Sequence, residues 1–181
     1  MILIYIYFKR NSANIVKVQD FIDILNFILD ARPVKVYAKK QNLLDPERED
    51  SAVVKLVYPN FFATLELSCV HPEKARDMWV VGDNQKIYAD FNAQTMRAYN
   101  FAIDAKGNVA GSTSPDTPEI PKGDPLSEEL SYFLKSVADY HPDTYKEIHN
   151  IGREEPHTTK ICEMALQSAL MGKEIEISRF V

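Results

Sequence analysis

Cysteine, glycine and tryptophan are scarce in this chain of 181 residues, which has two Cys, six Gly and one Trp. Cys69 and Cys162 lie far apart, with no C-x-x-C pair and no cysteine framework. That excludes a disulfide-stapled secreted scaffold and favours a reducing compartment. No Asn-x-Ser/Thr sequon occurs either, so a cytoplasmic location is expected. The glycines stand at positions 82, 107, 111, 123, 152 and 172, no two of them one residue apart. The G-x-G-x-x-G turn that brings backbone up to a dinucleotide pyrophosphate is therefore missing. Residues 107–113, GNVAGST, lack the lysine and the spacing of a phosphate-binding loop. Excess positive charge is lacking as well: 21 Lys+Arg against 26 Asp+Glu gives a net charge of −5. This argues against nucleic-acid binding, which needs a concentrated positive field. The apolar run at residues 1–8, MILIYIYF, is far short of the ~20 residues of a membrane-spanning helix. No basic residue precedes it and Lys9 and Arg10 follow it, so it does not fit a signal peptide. Its β-branched and aromatic content predicts a strand covered on both faces.

What is present suits one soluble domain over residues 1–181, since a domain takes ~100–200 residues. Apolar residues make up 45% of the chain, enough to offset the entropy of ordering it. The length leaves room for a substrate domain or a cofactor domain, but hardly for both.

Val18, Phe21, Ile22, Leu25, Ile28 and Leu29 recur at helical spacing and predict an amphipathic helix over 17–30. Arg32-Pro33 ends it, because a residue before proline avoids helical angles. Strand signals follow at 34–38, 52–58 and 61–70, the last two joined by a Pro59-Asn60 turn as an antiparallel hairpin. Short strands are expected at 78–81, 86–91 and 95–100. Residues 104–124 have little periodicity and read as a long loop, with a hairpin tip at Lys106-Gly107. Asp124-Pro125 opens a helix with an apolar stripe of Leu126, Leu130, Phe133, Leu134 and Val137. A final helix over 156–171 ends at Gly172, and a closing strand covers 173–180. Segregated strand runs indicate α+β, an open, mostly antiparallel sheet with helices on one face.

The candidate chemistry is sparse. Asp20 and Asp23 are three apart and share a helix face, which suits acid–base work, a hard cation or simply solvation. His157 lies in the first turn of the last helix, where the dipole disfavours its charged form. His141 and His149 flank Pro142-Asp143 in a connection and are expected in water. Cys69-Val70-His71 reads as a packed strand cysteine beside a turn histidine, without the ligand spacing of a metal site. Trp79 is expected in the core.

Three segments together carry a resemblance: DSAVVKL at 50–56, PEKARDMWVVG at 72–82 and KIYADF at 86–91. With DPLSEELSYFL at 124–134 and ALQSALMGKEIEI at 165–177, their order and spacing resemble the C-terminal domain of the glucose–fructose oxidoreductase/inositol dehydrogenase/rhizopine-catabolism (Gfo/Idh/MocA) family. The likeness spans roughly residues 2–180. It implies an open sheet whose free face makes a homodimer contact and whose helix side meets substrate. It also implies sugar or polyol substrates and NAD(P), held by a preceding Rossmann domain. This chain alone is expected to bind no cofactor and no metal. The family's helix motif carries a histidine that shuttles the substrate proton. Here Asp20 stands at that position, Val16 replaces an earlier Asp, Asp23 matches the last Asp, and no glycine pair precedes them. With a reference pKa of ~3.9, an aspartate takes over that role only if buried. The resemblance implies Asp20 and Asp23 as pocket residues, with Lys17 and His157 behind them. Hydride transfer needs the cofactor's electrons, so activity is expected only with a Rossmann-domain partner subunit. The alternative is a non-catalytic binding or assembly module built on the same sheet.

Overall fold

A computed structural model of the chain describes residues 3–9, 18–47, 49–103, 106, 109–111, 114–138 and 155–177. Among the described residues nine strands form one sheet: β1 (Leu3–Lys9), β2 (Lys35–Gln41), β3 (Ser51–Val57), β4 (Phe62–Ser68), β5 (Ala75–Val81), β6 (Gln85–Asp90), β7 (Thr95–Ile103), β8 (Val109–Gly111) and β9 (Ile175–Glu176). Their spatial order is β8-β7-β6-β5-β1-β4-β3-β2-β9. The first strand of the sequence thus lies in the middle, parallel to β4 and antiparallel to β5. Every other pairing is antiparallel, as the segregated strand runs predict.

The alternation that predicted strands also sorts them into two faces. Ile4, Ile6, Val36, Ala38, Val54, Leu56, Ala63, Leu65 and Met78 point to one side and are buried. Helices α1 (Val18–Leu29) and α3 (Glu155–Met171) cover that side. Val18, Phe21, Ile22 and Leu25 of α1 are buried, as are Ile161, Met164 and Ala165 of α3. Asp30, with φ 44°, ends α1 in the left-handed region ahead of Pro33. Gly172, with φ 66°, ends α3, its N–H donating to the Ser168 carbonyl at 2.8 Å.

Ser168 ties three pieces together. Its buried hydroxyl accepts from the Ala38 N–H on β2 at 2.9 Å and donates to the Lys173 carbonyl at 2.6 Å. On that edge of β2, β9 pairs only with Lys35 and Val36, so the serine takes over where the short strand stops.

Four expectations change. The predicted closing strand over 173–180 is described only as Ile175–Glu176, with the Ile177 N–H donating to the Val34 carbonyl at 2.8 Å. Strand β1 is covered by helices on one face only. Tyr5 and Tyr7 on its other face are half-buried, on a side where no described helix lies. Trp79 is on that same open side, beside Tyr88 and Tyr99 at ring-centroid distances of 4.9 and 6.0 Å, and not in the core. Helix α2 (Pro125–Ala138) forms as predicted, its first turn capped by the Asp124 carboxylate accepting from the Leu126 N–H at 3.2 Å. Its apolar stripe, however, is left largely open: Leu126, Leu130, Phe133, Leu134 and Val137 are 54–65% exposed. Lys17, His141 and His149 lie outside the described residues.

Candidate functional site

A cleft of about 740 Å³ opens on the helix side of the sheet, where α1 begins and β5, β6 and β7 run past it. Asp20, Phe21 and Ile24 of α1 form one wall. Arg76, Ala89 and Met96 rise from the sheet floor, because their registers place them on the helix-facing side. The third wall is the segment from Ile120 to the first turn of α2, with Pro121, Gly123, Glu128 and Glu129.

Side-chain and backbone ties hold that third wall in place. The Gln94 amide donates to the Gly123 carbonyl at 2.9 Å and accepts from the Gly123 N–H at 3.0 Å. Upstream, Asp116 and Ala98 exchange both backbone hydrogen bonds at 2.8 Å. Gln94 sits in the β6–β7 turn with φ 52°, and the neighbouring Asp90 carboxylate braces the turn by accepting from the Asn92 and Ala93 N–H groups at 2.9 Å each. Gly123 leaves the space that the Glu128 carboxylate occupies; a Cβ there would collide with it. The cleft thus presents the carboxylates of Asp20, Glu128 and Glu129 against one guanidinium, Arg76, with apolar Phe21, Ile24, Met96 and Ile120 between them, while Asp90 borders it at the strand end with its side chain on the open face by register.

The sequence-predicted residues divide. Asp20 lines the cleft and is exposed, so the burial that a proton-shuttling aspartate needs is not there. Asp23 faces α3 instead, its carboxylate accepting from the fully buried Thr158 hydroxyl at 2.5 Å. It joins two helices and does not line the cleft. His157, next to Thr158, is half-exposed and also outside the cleft lining. The long-loop reading of 104–124 is supported at its far end, where Ile120, Pro121 and Gly123 wall the site. Arg76, Gln94, Glu128 and Glu129 were missed. Alternation along 75–81 would have put Arg76 on the helix side, and the Asp124-Pro125 helix start would have put both glutamates in one turn.

Cys162 lies under the α1–α3 contact. Burial pushes its thiol up to about 11, and the negative charges of Asp23 and Asp20 push the same way. Since the folded value exceeds the ordinary one near 9, the protonated thiol favours the fold below about pH 9. That contribution is lost as pH rises through about 11. A thiol reagent at mildly alkaline pH should label the half-exposed Cys69 in the folded chain and reach Cys162 only after denaturant is added. Equal labelling of both in the folded chain, read by mass spectrometry, would contradict this.

Among the described residues no group of three His, Cys, Asp or Glu side chains is placed to hold a metal ion, and no helix is long and apolar enough to cross a membrane. The cleft does not fit a dinucleotide either. The carboxylates of Asp20, Glu128 and Glu129 oppose a pyrophosphate, and among the described residues no glycine turn leads from a strand into a helix beside it.

No family model and no curated protein matches the chain. Solved structures do. UDP-N-acetylglucosamine 3-dehydrogenase GnnA from Acidithiobacillus ferrooxidans superposes with a TM-score of 0.72 at 18% identity, over 92% of this chain and 52% of that one. The aldose-aldose oxidoreductase from Caulobacter crescentus gives 0.65 at 14% identity, over 97% of this chain and 55% of the other. The transcriptional regulator Gal80p from Kluyveromyces lactis gives 0.69 at 13% identity, over 97% and 55%. These are Gfo/Idh/MocA-type proteins, and the chain has the fold of their C-terminal domain. It spans about half the length of each.

Proposed function

We propose that this chain is the substrate-binding and dimerisation half of a sugar- or polyol-directed, NAD(P)-dependent oxidoreductase, active only with a Rossmann-type partner subunit. The observation that carries the reading is the cleft at the start of α1, bordered by a helix with an uncovered apolar stripe. The residues around the cleft do not fit a dinucleotide, and without one there is no source or sink for a hydride. The Leu126–Leu130–Phe133–Val137 stripe of α2, 54–63% exposed, begins at the cleft rim. A cofactor-bearing unit seated on it would bring its nicotinamide to the cleft. The solved structures of this fold have roughly as much chain again, which is room for such a unit.

The test adds NADH and NADPH to the pure chain, then to the chain together with the proteins that co-purify with it. The expected result is no cofactor binding by the pure chain, and turnover with a co-purified Rossmann protein. That turnover should be abolished by Leu130→Glu with Phe133→Glu on α2, while the melting temperature of the chain holds. A stable homodimer that acquires no cofactor and no activity under either condition would sink the proposal. It would favour the second reading, a non-catalytic module. Two observations point that way: Asp20 replaces the histidine, and the same fold occurs in the transcriptional regulator Gal80p.

A further inference from the structure

We infer that the third wall of the cleft is a strap that opens and closes, with Gln94 as the positioning residue that latches it shut. The inference rests on the reading of this cleft as a ligand site and adds how that site is gated.

The wall stands on two feet. One foot is the backbone exchange between Asp116 and Ala98, reinforced by the Asn100 amide donating to the Asp116 carboxylate at 3.3 Å. The other is Gln94, whose side-chain amide donates to the Gly123 carbonyl and accepts from the Gly123 N–H. Between the feet the strap takes seven residue steps, from 116 to 123, against four along β7 and its turn, from 98 to 94. At ~3.1 Å per step for extended, proline-rich chain and ~3.3 Å for a strand, about 22 Å of strap spans about 13 Å of sheet. The surplus lets the strap arch away from β7, and Ile120 and Pro121 within the arch line the cleft.

The arch is stiff but lightly held. Pro118 and Pro121 fix two of its φ angles, so it moves as one piece. Residues 116–130 are all exposed, and α2, which follows the latch directly, buries none of its side chains. The Asp116 foot rests on Ala98, which is buried, and serves as the hinge. The Gln94 foot is a pair of exposed hydrogen bonds to a single side chain, and exposed bonds of this kind open and reform readily in water.

Gln94 is an unusual residue for its backbone. Its φ of 52° lies in the left-handed region, where a side chain costs energy and a glycine does not. The turn holds it there through the Asp90 carboxylate, which accepts from the Asn92 and Ala93 N–H groups. A glycine would relieve the turn but has no amide to reach Gly123. A ligand that touches both the sheet floor, at Ala89 and Met96, and the arch, at Ile120 and Pro121, favours the shut state through its contacts with the arch.

Amide hydrogen exchange of the full chain, followed by NMR, reads the latch directly, because the Gly123 N–H has Gln94 as its acceptor. In Gln94→Gly the Gly123 amide should exchange about tenfold faster than in the unaltered chain. The Ala98 and Asp116 amides should keep their rates, and the melting temperature should hold or rise as the turn loses its strain. Gln94→Glu keeps the acceptor and loses the donor, so its Gly123 rate should fall between the two. Saturating glucose, as the probe of the cleft, should shift the Thr95 and Met96 amides and slow exchange at Gly123 in the unaltered chain. Equal Gly123 rates in the three chains, or a glucose shift at Thr95 and Met96 without slowing at Gly123, overturns the strap and leaves the cleft reading standing. A latch-dependent rate at Gly123 with no glucose shift overturns the cleft as a sugar site, and with it the strap as its gate.

Discussion

Replacing Ser168 by alanine should lower the stability of the folded chain by about 3 kcal/mol, from two lost hydrogen bonds and one buried N–H left without an acceptor. The donor left behind is the Ala38 N–H, on a residue with no exposed surface. Water cannot reach it, and β9 is too short to pair with it. The second loss is at the Lys173 carbonyl, just past the end of α3, which the same hydroxyl satisfies. One small side chain thus secures both the end of a helix and an edge of the sheet. Ser136→Ala on α2, whose hydroxyl only donates back to the Tyr132 carbonyl at 2.9 Å, should change stability by less than about 0.5 kcal/mol. Urea midpoints of the two variants measure the contrast, and a Ser168→Ala loss below about 1 kcal/mol would contradict the account.

The largest effect on assembly should come from Trp79→Glu. We propose that the open face of the sheet is where two copies of the chain meet. Tyr5, Tyr37, Phe62, Trp79, Tyr88 and Tyr99 all project there by register and all are half-buried within one chain. Basic groups lie over several of the rings, with the Arg97 guanidinium and the Lys55 ammonium each 4.5 Å from the centroids of Tyr88 and Phe62. Trp79 stands on β5, near the centre of the sheet, where a contact is best shielded from water. Centrally placed tryptophans lose about 2–4 kcal/mol of binding on truncation, a factor of roughly 30 to 1,000 in dissociation constant. Sedimentation at micromolar concentration should show a dimer for the unaltered chain and a monomer for Trp79→Glu with unchanged circular dichroism. A monomeric unaltered chain would refute the shared face.

The sheet was legible because period-two alternation is strong where one face is buried and the other is not. Residues 52–58 and 61–70 gave both the strands and their pairing, since Pro59-Asn60 permits only a tight turn. Helices α1 and α3 were legible for the matching reason, an apolar stripe at helical spacing. Helix α2 shows the limit of that signal. Its stripe is as regular as that of α1, but periodicity says only that a face is apolar, not which surface covers it. Trp79 was misplaced for a related reason, because an aromatic on a strand suits either a core or an open sheet face. The site was less legible still. Asp20 and Asp23 are three apart and look equivalent, yet the separation of about 60° around the helix axis is enough to send one to the cleft and the other to Thr158. Arg76 and Glu128 are 52 residues apart in sequence and line one cleft only because the segment after β8 returns across β7 to Gln94.

The central place of β1 has a consequence for the order in which the chain takes shape during synthesis. The strand emerges first, but its neighbours β4 and β5 begin at Phe62 and Ala75, so it must wait for both. The β2–β4 and β5–β8 meanders close by short connections and carry little entropic penalty, whereas β1 pairs only across long loops. Until β1 slots between them the two meanders are separate sheets, each with a bare edge of the kind that other chains add to. The strand that is made first is therefore the keystone that is set last, and its insertion is the step at which nascent chains are most exposed to pairing with one another.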